Sequence, residues 1–224
     1  MKLLIIISLL SSILLANEDA SVLQFSGVDT TYKDKEIYIK RLKHPSCHKV
    51  GITPENIFGG DIAAKSVPAE CKKSFVTSLG VIQPIKMDDE IETVGEIEVL
   101  KFLENLNFEP EKYALVDARK PDWYEVMTIP HSVNIPFSEI REDKDFSRDY
   151  DEVLKSLSVI KDKKGNLDFS QAKEAIVCCN GNWCVQSVWA IKGLVKLGYP
   201  KKKLFWYRGG MQDWVSSGFT TVKP

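Results

Sequence analysis

From about residue 88 onward, short apolar runs alternate with longer stretches whose apolar residues recur at helical spacing. "KYALVDAR" (112–119), "HSVNIPF" (131–137), "KEAIVCC" (173–179) and "KKLFWYRGG" (202–210) are each too brief for a buried helix and read as strands. Between them, "GEIEVLKFLEN" places Ile97, Leu100 and Leu103 on one helical face. "YDEVLKSLSVIK" does the same with Val153, Leu154, Leu157 and Ile160. "SVWAIKGLVKLGY" reads as a helix ended by Gly198, and "MQDWVSSGF" as a short closing helix. A strand followed by a helix, repeated, can bury both elements only if the strands run mainly parallel with helices laid over them. The expected class is therefore α/β, without repeats or low-complexity segments.

The first 87 residues differ. Lys2 precedes an apolar run from Leu3 to Leu15, short for a bilayer span and suited to a signal peptide, so 1–16 is expected to be cleaved. That implies export to the periplasm or a similar compartment, with membrane attachment only if the segment is retained. Residues 17–87 form an extension of unknown role, polar and loose at first, then broken by Pro45, Pro54, Pro68, Pro84 and "FGGD". Cys47 and Cys71 flank the broken part, and in an exported chain they are expected to pair as a structural disulfide. The region could pack on the domain, dock a protein partner or cover a site. A net charge of −1 argues against nucleic acid as a partner.

Three of the five cysteines fall within seven positions, at Cys178, Cys179 and Cys184. Zinc would need a second ligand pair, which neither Cys47, Cys71 nor His131 supplies at metal spacing, so no metal is expected. "SCH" at 46–48 lacks the first Cys of a haem attachment. A phosphatase loop would need Arg where Val185 stands. Alternation sends Cys178 and Cys179 to opposite faces, with Cys178 in the core and Cys179 ending its strand. The loop Asn180, Gly181, Asn182, Trp183, Cys184 then leads into a helix. Gly181 relieves crowding, and Asn180 and Asn182 tolerate unusual φ. Main-chain N–H groups turned inward at a helix N-terminus would lower the Cys179 thiol below its free value of about 8.5 and make it a nucleophile. Cys184 is open between resolving thiol, disulfide partner and packing residue. Trp183 is expected to wall a pocket and Trp214 to be core. Asp117 reads as structural. Arg119 is expected to pair with an acid, and Arg208 is evenly balanced between pocket and support.

Taken in order, "LVDAR" (115–119), "IPHSVNIPF" (129–137), "AIVCCNGNWC" (175–184) and "YRGGMQDW" (207–214) make residues 88–224 resemble a rhodanese-homology domain. The resemblance implies a five-stranded sheet with helices on both faces, plus an irregular N-terminal extension. It implies a sulfurtransferase without cofactor, with Cys179 becoming a persulfide between a small sulfur donor and a thiol acceptor. His131 stands where the family commonly has Gly, and no Lys or Arg lies between Asn180 and Ser187 to meet an anionic donor. Two other functions fit the residues: a thiol–disulfide protein using Cys179 and Cys184, and a binding module without catalysis.

Overall fold

The computed structural model describes residues 27–40, 81–140 and 147–224. The signal segment and the Cys47–Cys71 pair lie outside the described residues. In chain order the elements begin with β1 (Gly27–Tyr32), β2 (Lys35–Lys40), β3 (Glu92–Val94), α1 (Glu96–Phe108) and β4 (Tyr113–Asp117). Next come α2 (Pro121–Tyr124), β5 (Ser132–Asn134), α3 (Ser147–Ser156), β6 (Ile160–Lys161) and β7 (Leu167–Asp168). The last are β8 (Glu174–Cys178), α4 (Gln186–Leu197), β9 (Leu204–Tyr207) and α5 (Gly210–Ser216).

The central sheet has five strands in the order β3-β9-β8-β4-β5, all parallel. Alternation along β8 divides the core. Ala175 and Val177 face one side with Val116, Trp206 and the α3 and α4 residues Leu154, Ile191 and Leu194. Ile176 and Cys178 face the other, with Leu115, Tyr207, the α1 residues Leu100 and Leu103, and Trp214 of α5. Each fully buried leucine contributes roughly 1.5–3 kcal/mol. Acids Glu96 and Glu98 favour the N-terminus of α1, where the Glu98 carboxylate accepts the Gly95 N–H at 3.0 Å.

The fifth strand, β3, has three residues with only Val94 buried, so no apolar run marked it in the sequence. One sequence expectation changes. Ile160 leaves the face of α3 and starts the β6–β7 hairpin, where it is exposed. Part of the N-terminal extension is also regular. β1 and β2 form an antiparallel hairpin whose two-residue turn, Lys33–Asp34, takes positive φ at both positions. Val28 and Ile39 join the α1 core, and Thr30 Oγ1 lies 2.5 Å from His131 Nε2 while donating to Asn107 Oδ1 at 2.6 Å. His131 adopts φ +65°, a conformation that favours glycine, and burial lowers its pKa. Among the described residues no helix is long and apolar enough to cross a membrane.

Candidate active site

β8 ends at Cys178, one residue earlier than expected, and Cys179 opens the loop to α4. Cys178 is fully buried among apolar neighbours, and burial raises its pKa. Cys179 is 1% exposed and Cys184 5%; with Trp183 they form a separate small cluster above the sheet edge. Two helix ends shape this loop. Cys184 N–H closes a turn onto Gly181 O at 2.9 Å, which brings residue 184 back to the N-terminus of α4. The start of α5 then clamps it, with Met211 N–H on Cys179 O at 2.9 Å and Gln212 N–H on Asn180 O at 2.8 Å. Gly210 makes that approach possible: at φ +55°, a Cβ there would stand 2.3 Å from Cys179 O.

The hydrogen bonds around the sulfurs have a direction. Trp206 Nε1 donates to Ser187 Oγ at 3.0 Å, which leaves the Ser187 hydroxyl proton for Cys179 Sγ at 3.1 Å. The Cys179 thiol in turn donates to the Cys184 carbonyl at 3.3 Å. Cys184 Sγ also accepts the Asn180 amide at 3.6 Å. The pKa shift expected at Cys179 therefore falls on its neighbour. Cys184 is brought down to about 6, first by the Cys179 thiol and then, against burial, by the N–H groups of Asn180 and Gln186 and the Asn180 side chain. Cys179 is pushed up, chiefly by burial and then by the adjacent Cys184, which the Ser187 donors only partly offset. The two thiols titrate as a unit, with Cys184 the more acidic of the pair.

The remaining sequence candidates separate cleanly. Asp117 is buried and accepts Arg119 Nε at 2.9 and 3.0 Å, Arg119 Nη2 at 2.6 Å and Thr128 Oγ1 at 2.8 Å. Burial opposes the charge on Arg119, but the bonds to Asp117 outweigh it and hold its pKa up. This pair supports the fold. Arg208 points elsewhere, onto the carbonyls of Gln83 and Pro84. Trp183 walls the loop, its Nε1 donating to Gln212 Oε1 at 2.5 Å, and Trp214 is core. Asn180 and Asn182 use no positive φ, so their value lies in hydrogen bonds. Sequence reasoning missed Ser187 as a donor, Gln186, whose Oε1 is buried without a hydrogen-bond partner among the described residues, and residues 81–85, which pair with the loop. For Ser187 a signal existed in "CVQS", eight residues past Cys179.

The family model for the rhodanese-like domain matches residues 99–217. No curated protein matches the chain. Solved structures do. A rhodanese with anions from E. coli is 21% identical over 50% of this chain and 99% of its own, with TM-score 0.34. An uncharacterized protein from Saccharomyces cerevisiae is 26% identical over 57% of this chain and 93% of its own, with TM-score 0.39. A thiosulfate sulfurtransferase from Pseudomonas aeruginosa is 18% identical over 59% of this chain and 20% of its own, with TM-score 0.39.

Proposed function

The chain belongs to the rhodanese-like domain family, and from that premise we propose that it is a sulfurtransferase that carries sulfane sulfur on Cys179. The observation that carries this reading is Cys179 Sγ at the carboxyl end of β8, 3.1 Å from Ser187 Oγ and packed with Cys184, whose pKa is brought down to about 6. A nucleophile packed beside a thiolate that can take its proton needs no solvent to become reactive. One proton passes from Cys179 to Cys184, and the Ser187 O–H and N–H receive the charge that appears on Cys179. With thiosulfate as donor, the Cys179 thiolate attacks the outer sulfur. The donor's S–S bond breaks, sulfite leaves with its electron pair, and Cys179 holds a persulfide. A thiolate acceptor then attacks the outer persulfide sulfur and regenerates the Cys179 thiolate. No net oxidation occurs. The apolar run Leu3–Leu15 supports an exported setting for this exchange.

The test is mass mapping after incubation with thiosulfate. One extra sulfur is expected on the Cys179 peptide, and none anywhere in a Cys179→Ala variant. Equal transfer by that variant overturns the reading.

The proximity of the two sulfurs favours one other reading. A Cys184 thiolate attacking the inner sulfur of a Cys179 persulfide would form a Cys179–Cys184 disulfide and release hydrosulfide. A thiol–disulfide function then requires an external reductant to reset the pair. Mapping the disulfide after single turnover separates it from simple transfer.

A further inference from the structure

Residues 81–85 cross the active loop as a strap. Val81 N–H donates to Trp183 O at 3.0 Å, and Gln83 N–H to Asn182 O at 2.8 Å. Arg208 grips the same segment from the other side: Nη2 donates to Gln83 O at 2.8 Å, while Nε reaches Gln83 O at 3.2 Å and Pro84 O at 3.0 Å. Thr93 Oγ1 fastens Ile85 O at 2.6 Å. The strap's apolar side chains take no part. Val81, Ile82 and Ile85 are 64%, 59% and 71% exposed. A segment held by hydrogen bonds to its backbone, with its apolar groups turned outward, lifts without uncovering any core.

The clamp has a second meaning. β8 and β9 run in register with Cys178 opposite Tyr207, so Arg208 and Cys179 are the first residues past the ends of adjacent strands at one sheet edge. Asn180 to Ser187 contains no Lys or Arg, yet the proposed donor is an anion. The Arg208 fork is a cation on the same sheet edge as Cys179, and it is filled by peptide oxygens. We infer that residues 81–85 are an autoinhibitory strap, the Gln83 and Pro84 carbonyls occupying the Arg208 fork that takes an oxyanionic sulfur donor, so that strap and donor exclude each other. The identity of the donor rests on the sulfurtransferase reading; the strap itself does not.

The experiment uses the full chain and two probes, iodoacetamide for loop thiols and sulfite as an oxyanion that leaves thiols intact. Gln83→Pro deletes the N–H bonded to Asn182 and keeps the carbonyls. It is expected to speed alkylation of Cys179 and Cys184 by roughly tenfold or more, because only the lifted fraction reacts in the parent chain. Sulfite should slow that alkylation in Gln83→Pro, with a lower half-effect concentration than in the parent. Arg208→Gln should show fast alkylation and lose sulfite protection by roughly tenfold in concentration, while Arg208→Lys keeps part of it. Unchanged alkylation in Gln83→Pro, with amide exchange at Val81 as slow as in the parent, overturns the strap. Sulfite protection in Arg208→Gln equal to that in Gln83→Pro overturns the anion site. Should these shifts appear while no variant acquires sulfur from thiosulfate, the strap stands and the proposed reaction falls.

Discussion

Two strand ends lie side by side on the same edge of the sheet and are built to opposite purposes. At the end of β4, the Asp117 carboxylate accepts three contacts from the Arg119 side chain, one from the Arg119 N–H and one from Thr128, and Arg119 also donates to Met127 O at 2.5 Å. Donors and acceptors satisfy each other, and the ion pair is closed. At the end of β8, Ser187 and Asn180 reach two sulfurs, Trp206 Nε1 donates to the Ser187 hydroxyl behind them, and a buried Gln186 oxygen is left without a partner among the described residues. Position at the carboxyl edge of an α/β sheet makes a residue available for chemistry. Whether it is used depends on how fully its polar capacity is consumed by its neighbours.

That contrast is broken most severely at Asp117. Asp117→Ala leaves the Arg119 guanidinium buried without its counter-charge and should cost about 3–5 kcal/mol in denaturant unfolding. A loss below about 1 kcal/mol would mean the pair is not closed. At the open end, Cys184→Ser should act on pH dependence. In the parent, iodoacetamide reactivity should rise through about pH 6, the value for Cys184. In the variant the rise should move above about 8.5, since only the buried thiols of Cys178 and Cys179, both of raised pKa, then remain at this strand end. Stability follows the same group. Its folded pKa lies at about 6, below the usual 9.0, so its contribution is complete above the unfolded value and fades as pH falls toward 6. The variant's unfolding free energy should therefore change less between pH 6 and 9 than the parent's. The mildest test is Ser187→Ala, which strips Cys179 of a hydroxyl donor and orphans Trp206 Nε1. A stability loss of about 1 kcal/mol is expected, with a roughly tenfold fall in transfer rate. A fall in stability with no change in rate would make Ser187 a packing residue.

How much of this was legible beforehand varies with the kind of signal. "YALVD" and "EAIVC" announced their strands because a parallel strand buried on both faces is apolar throughout. Leu100 and Leu103 in the core of α1 followed from helical spacing, and Asp117 with Arg119 read as structural from "LVDAR". The β1–β2 hairpin was overlooked although Ile37 and Ile39 alternate, because its turn is Lys33–Asp34 rather than an Asn-Gly pair. The location of the acidic thiol was not legible. Both cysteines lie in a loop near a helix start, and which of them collects the N–H groups depends on how Gly181 to Cys184 turns back. The strap was invisible for a plainer reason: main-chain hydrogen bonds impose no side-chain pattern, so Val81 and Gln83 carry no mark of what they cover.

The bare Cα of Gly210 is the spacer between the closing helix and the sulfur-bearing turn. Since a methyl group there would collide with the carbonyl of residue 179, the chain cannot enlarge this position without shifting the turn itself. The site can thus be detuned from outside its own chemistry, through a residue that bears no proton, no charge and no side chain.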